Sequence, residues 1–324
     1  MAKSRGWAFP ANLQPSPEDY GYDLDSALDS MVLVRAEAPD DAFTASVLGT
    51  ERIGNGVVIR GDGLVLTMGY LITEASAIWL TTNKGVAVAG YPLAYDPGSG
   101  FGLIQPLGRL GVPSLERGSI AACGEGDEVV VAGHGGLAHT LKTKIISKRE
   151  FAGYWEYVID EAVFTAPAHP QWGGSALLGP DGRLLGVGSL LVQEKMGGDT
   201  VQGNMFVPVD LLEPIFDDML KLGRPGSPAR PWLGLYATEI DGRLVVAGLS
   251  SGSPAEQAQL HDGDQLLEVA GKSVSGLADF FRKVWRVGPA GTSVPLTISR
   301  EGVVSHLQVQ SADRQDFLKK PSLQ

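Results

Sequence analysis

Ser175 is the hydroxyl of this chain that could serve as a nucleophile. It sits in the run His169-Pro170-Gln171-Trp172-Gly173-Gly174-Ser175-Ala176-Leu177-Leu178. A serine attacks a carbonyl well only when a hydrogen-bonded base takes its proton, and by sequence the nearest bases are His169 and His134. The alternative role for Ser175 is to cap or line a buried loop. The five histidines are His134, His139, His169, His261 and His306. None pairs at i, i+4 and no Cys or carboxylate cluster joins them, so no metal site is expected. The single cysteine, Cys123, excludes an intrachain disulfide and reads as a small buried apolar residue. The glycines fall at turns rather than in a phosphate-binding motif, and no cofactor is expected.

These residues lie in a chain of 324 residues, long enough for two domains. Its hydrophobic fraction of 44% and charged fraction of 19% are those of an ordinary folded protein. A formal net charge of −11 argues against non-specific nucleic-acid or anionic-membrane binding. No run of roughly 18 apolar residues could span a bilayer. No signal-peptide run follows Met1, so the sequence as written predicts a cytoplasmic location, or a periplasmic one if it is a processed form.

Residues 1–30 read as a leader that is Pro-rich and polar to about Tyr22, with one short helix from Asp23 to Ser30. From Met31 onward short apolar runs recur between Gly, Asp and Pro: Gly56 to Ile59, Leu64 to Thr67, Ala77 to Thr81, Leu103 to Pro106, Val129 to Ala132, Tyr157 to Phe164, Leu184 to Leu191. Many short strands at such spacing predict an all-β barrel or sandwich. Pro208 to Gly223 has helical spacing, with Asp210 as N-cap and Gly223 as the closing left-handed residue. Residues 224–231, Arg-Pro-Gly-Ser-Pro-Ala-Arg-Pro, form a stiff linker.

Three segments carry a resemblance. Gly54-Asn55-Gly56-Val57-Val58-Ile59 and Gly61-Asp62-Gly63-Leu64-Val65-Leu66-Thr67 continue into Met68-Gly69-Tyr70. The second segment is Asp96-Pro97-Gly98-Ser99-Gly100-Phe101-Gly102-Leu103-Ile104, and the third is the loop around Gly173. Together they resemble the triad-bearing segments of HtrA-type, trypsin-like serine proteases. The resemblance implies a double β-barrel over residues 31–223. It also implies Tyr70 in the histidine slot, Gly100 in the aspartate slot and Gly173 in the serine slot. A triad works as a unit, so the expectation is a pseudoprotease: no enzyme, and no catalytic residues. Ser175, two residues beyond the nucleophile slot, would lie off an oxyanion hole whose donors are worth about 3–4 kcal/mol. Trp172 puts an indole where substrate would lie, and Thr165 and Pro167 replace residues lining the specificity pocket.

Residues 232–312 resemble a PDZ domain, a small α+β module, through Trp232-Leu233-Gly234-Leu235, Ser253-Pro254-Ala255 and His261-Asp262-Gly263-Asp264-Gln265-Leu266. Residues 313–324 are left as a tail. The resemblance implies capture of peptide C-termini by the backbone N–H groups of the 232–235 loop, with peptide added as a strand along Leu235-Tyr236-Ala237-Thr238. The peptide-binding residues expected are Leu233, Gly234, Leu235, Tyr236 and Phe281, with Trp285 beside Phe281 on the second helix. The functional expectation is a protein- or peptide-binding scaffold, forming homo-oligomers or hetero-oligomers with an active homologue. The rival readings are a serine hydrolase with rearranged residues and a regulatory subunit of an active HtrA-type protease.

Overall fold

Apolar runs bounded by turn residues become strands in the computed structural model, which describes residues 7–196 and 198–320. The first six residues of the leader and the last four of the tail lie outside the described residues. The chain forms two units. The first takes in the chain up to Arg149 together with Glu161–Gly226, and the second Glu150–Asp160 and Ser227–Lys319.

In the first unit, β1 (Met31–Glu37), β2 (Glu51–Val58), β3 (Val65–Met68), β4 (Ala77–Thr82), β5 (Ala87–Tyr95) and β6 (Phe101–Pro106) close a barrel in the order β1-β2-β3-β6-β5-β4. Along β1, Val32, Val34 and Ala36 point inward while Arg35 and Glu37 face water, the period-two pattern of a half-buried strand. Val34 lies opposite Gly54 on β2 and Leu80 on β4, and joins Val58, Val65, Ile78 and Ile104 in the core. A second closed barrel follows from β7 (Glu128–Ala132), β8 (Thr140–Gly153), β9 (Tyr157–Ala166), β10 (Ala176–Leu178), β11 (Leu184–Met196) and β12 (Asp199–Pro208), ordered β10-β11-β12-β9-β8-β7. Closure leaves neither sheet an unpaired edge.

Helices in this unit are few. α1 (Leu24–Asp29) is capped by Asp23, which accepts from Ser26 N at 2.9 Å, and buries Leu24, Ala27 and Leu28. α2 (Ala45–Leu48) is a single turn. The helix expected from Pro208 to Gly223 is broken: two 3-10 turns, Val209–Leu211 and Glu213–Ile215, precede α3 (Phe216–Leu222). Pro214, which has no N–H and restricts the residue before it, accounts for the interruption. Asp210 caps no helix of its own. Its carboxylate accepts from Ser119 Oγ and Ile120 N, at the start of the 3-10 turn Ile120–Ala122. Gly223 does close α3 in the left-handed region, at φ 72°.

The second unit is a sheet ordered β13 (Leu235–Ile240), β14 (Arg243–Leu249), β15 (Gln265–Val269), β17 (Ser293–Arg300), β18 (Val303–Gln310), with β16 (Lys272–Ser273) paired to β15. Against it lie α4 (Pro254–Gln257), capped by Ser253 Oγ, and α5 (Leu277–Trp285). A mainly β double barrel followed by a small α+β domain is what the sequence predicts.

Candidate functional site

Asn55 organises the loop that carries Ser175. On β2, Asn55 is almost wholly buried and uses all its polar atoms. Its N–H donates to Gly173 O at 2.8 Å, and its Nδ2 to Gln171 O at 2.9 Å and Gly173 O at 3.2 Å. Its Oδ1 accepts from His134 N, and its carbonyl from Thr67 Oγ1. Two glycines make this approach feasible. Gly174 has φ +74°, and a Cβ there would lie 1.9 Å from Asn55 O, so no side chain fits. A Cβ on Gly54 would stand 2.9 Å from Gly173 O. Sequence reasoning passed over Asn55, whose signal was a buried amide inside a glycine-flanked strand.

Tyr70 and Gly173 are brought together. A Cβ on Gly173 would lie 2.8 Å from the Tyr70 hydroxyl, which donates to Ser189 O at 3.1 Å. Burial raises the Tyr70 pKa well above its ordinary value, so the phenol stays neutral. Gly100 sits one strand away: its carbonyl accepts from Gly69 N at 2.7 Å, and its φ is +80°. Asp96 folds that turn, accepting from Gly98 N, Ser99 N and Ser99 Oγ.

Ser175 is fully buried, and its Oγ donates to Trp172 O at 2.8 Å within the loop. The structure does not bring it to either candidate base. His169, also fully buried, engages His139 O through Nε2 at 2.8 Å, while its Nδ1 accepts from Gln171 N at 3.0 Å. That pair of bonds selects the Nε2–H tautomer. Burial pushes the imidazole pKa down to about 4, so the ring is neutral at ordinary pH. His134 Nε2 faces Thr82 O at 3.2 Å. Trp172 is half-buried rather than sealed into the core, and Thr165 is wholly buried. No metal-ligating cluster occurs among the described residues.

In the second unit the 232–235 loop is built as a carboxylate receptor. The N–H groups of Leu233, Gly234 and Leu235 converge on one carboxylate, that of Glu156: Gly234 N donates at 2.6 Å, Leu233 N at 3.1 Å and Leu235 N at 3.3 Å. Gly234 is left-handed at φ +74°, and a Cβ on it would stand 2.3 Å from Ser253 Cβ. Leu233, Leu235 and Phe281 are fully buried in one cluster with Phe280 and Val284. Phe281 is therefore core rather than an open groove face, and the half-buried Trp285 stacks on it at 6.0 Å. Tyr236 is half-buried beside the loop.

The trypsin-like peptidase domain family matches residues 54–187, and the PDZ domain family matches residues 231–310. The chain carries one trypsin-like peptidase domain and one PDZ domain. It is similar to a probable periplasmic serine endoprotease DegP-like of Chlamydia pneumoniae, 24% identical over 79% of this chain and 54% of the relative. Its similarity to the Halomonas elongata protein of the same description is 25%, over 82% of this chain and 58% of the relative. The serine protease Do-like HtrA of Bacillus subtilis is 21% identical, over 91% of this chain and 72% of that protein. The chain thus spans little more than half the length of the first two relatives. Among solved structures it resembles the HtrA-type protease AlgW with tripeptide (TM-score 0.54, 17% identity, 95% of this chain and 99% of that one). It also resembles the serine endoprotease from Yersinia pestis (TM-score 0.53, 18% identity, 92% and 98%).

These names correct one expectation. The chain was expected to be no enzyme because three residues are replaced, yet the relatives matching about four-fifths of it are named serine endoproteases and point to an enzyme. Substitution at three positions is a statement about those positions, and it does not by itself assign a function to the rest of the fold. The cytoplasmic expectation likewise finds no support in relatives whose names place them in the periplasm. Among the described residues no helix is long and apolar enough to cross a membrane.

Proposed function

We propose that this HtrA/DegP-like chain binds polypeptide, recognising a carboxylate and the extended segment behind it through its PDZ domain. One observation carries the reading: three consecutive N–H groups, at Leu233, Gly234 and Leu235, close around a carboxylate. Bonds from backbone donors to an ionised acceptor are stronger than neutral ones. Beside the loop, β13 ends the sheet order and so offers an edge to which an extended chain can add. Half-buried Tyr236 lies beside the loop, above the core that holds Leu233, Leu235 and Phe281. A periplasmic setting, as in the relatives' names, belongs to the same proposal. So does assembly with further copies or an active homologue. On the outer face of β1, exposed Ile53 and Trp79 flank Arg35 and offer apolar area for such a contact.

The test titrates the full chain with a peptide ending in an apolar residue, as free acid and as amide. The free acid should bind with a Kd between micromolar and millimolar, about −8 to −4 kcal/mol, and the amide at least tenfold more weakly. Equal binding of the two refutes carboxylate recognition. Gly234 is a poor position for a blocking substitution, because the Ser253 contact would disrupt the loop itself.

The relatives' endopeptidase activity comes to this chain as a second reading, favoured by the built loop from His169 to Ser175. Ser175 is the hydroxyl that loop presents, and its bond to Trp172 O would have to break before it could attack. Casein hydrolysis abolished by Ser175→Ala supports a rearranged serine mechanism. Hydrolysis unaffected by that change removes Ser175 from the chemistry.

A further inference from the structure

The carboxylate in the 233–235 loop is not from a ligand but from the tip of the hairpin joining β8 to β9. That tip, Tyr154-Trp155-Glu156, belongs to the second unit. Its contacts reproduce those of an extended peptide one by one. Glu156 supplies the carboxylate. Tyr154 O accepts from Ala237 N at 3.1 Å, a main-chain bond to the edge strand β13. Val158 is buried in the cluster that contains Leu233, Leu235 and Phe281, so the hairpin also provides the apolar side chain. The Tyr154 ring packs against Tyr236 at 5.9 Å. Arg282 on α5, the helix beside β13, pairs with Glu150 and Asp160 on the two arms of the hairpin.

We propose that this hairpin is a resident occupant of the PDZ peptide site, competing with peptide carboxylates for the Leu233–Leu235 amides, so that peptide binds only when Glu156 leaves. The inference rests on the peptide-binding reading above. Glu156 adopts φ +62°, a left-handed conformation that a non-glycine residue holds only when its surroundings enforce it. A three-residue hairpin loop calls for a left-handed last residue, and the three carboxylate bonds tie the glutamate found there to the amides. Because the occupant is tethered, its local concentration is set by the chain and not by solution, and a peptide's apparent affinity falls by the fraction of time the site is open.

The experiment compares the full-length wild type with Glu156→Gly, which suits the left-handed position and removes the carboxylate, and Glu156→Gln, which keeps the shape without the charge. Amide hydrogen exchange at Leu233, Gly234, Leu235 and Ala237 is read by NMR, and binding of the free-acid peptide by fluorescence polarisation. In Glu156→Gly the four amides should exchange at least tenfold faster and the free-acid peptide bind at least tenfold tighter, with Glu156→Gln, the neutral mimic of the protonated carboxyl, nearer the wild type. A tenfold gain means a wild-type site open no more than about a tenth of the time. Unchanged exchange and unchanged affinity in both variants overturn the occupant while leaving peptide binding intact. Faster exchange with no binding of free acid by any form, or equal binding of acid and amide, instead overturns the peptide-binding reading and the competition with it.

Discussion

Gly173→Ser tests whether the contact between Tyr70 and Gly173 is as close as the structure draws it. An ideal Cβ at position 173 lies 2.8 Å from the Tyr70 hydroxyl but 3.8 Å and 3.9 Å from Cζ and Cε2, so the clash is with one atom. Reaching an ordinary 3.4 Å contact needs a shift of about 0.6 Å. The hydroxyl is held by its bond to Ser189 O, so it cannot swing away without losing that bond. Overpacking typically costs about 1–3 kcal/mol and a lost hydrogen bond about 1 kcal/mol. Gly173→Ser alone should therefore destabilise by about 2 kcal/mol, since Gly173 does not need a positive φ and the backbone accepts serine. Tyr70→Phe alone should cost about 1 kcal/mol through the lost bond. Together they should cost no more than Tyr70→Phe alone, because the clashing atom is gone, giving a favourable coupling of about 2 kcal/mol. Urea denaturation of the wild type, both single variants and the double variant measures that coupling. Additive effects within about 0.5 kcal/mol would refute the contact.

Binding at the PDZ loop should depend on pH. Burial raises the Glu156 carboxyl to about 7 from its ordinary 4.5, against the pull of the Leu233, Gly234 and Leu235 N–H groups and of Arg314. Docking of the hairpin therefore takes up a proton: it is favoured in acid and loses that advantage as pH rises through about 7. Protection of the Leu233, Gly234 and Leu235 amides, corrected for intrinsic exchange, should accordingly be lower at pH 8 than at pH 5.5 in the wild type and flat in Glu156→Gln; a wild-type protection flat across that range contradicts it. Asn55→Ala strips three side-chain bonds from the Ser175 loop and should cost about 2–4 kcal/mol by thermal denaturation, far more than an exposed Asn change. Gly174→Ala should cost more than about 3 kcal/mol, since positive φ and a backbone oxygen at 1.9 Å act together. Gly100→Asp should cost about 1–2 kcal/mol from its φ of +80° alone, read by the same measurement.

The double barrel and the small second domain are legible because closed sheets and their turns leave a dense pattern of short apolar runs and glycines. α1 is legible for a local reason: Asp23 caps it and its three apolar residues share one face. The helix expected from Pro208 failed at Pro214, where local chemistry interrupts a spacing that otherwise reads as continuous. Asp210 misled for the opposite reason, since its partners, Ser119 and Ile120, lie about 90 residues away. Glu156 was illegible in the same way. Nothing near it in sequence marks a charged turn residue as the partner of amides 77 to 79 residues on. Phe281 shows the limit of helical spacing, because adjacent stripes on a short helix can both be buried.

The separation of Glu156 from its amides also orders events during synthesis. At about 5–20 residues per second, the hairpin tip leaves the ribosome roughly 4–15 seconds before Leu233. Through that interval Glu156 has no amide loop to enter, and Val158, Leu233's later neighbour in the core, is without the rest of its cluster. The second unit, although mostly encoded last, thus takes one piece of its core from the middle of the nascent chain. A chain released at Gly223 would carry the whole hairpin but, apart from Ala152, none of the cluster in which Val158 is buried, leaving that side chain exposed.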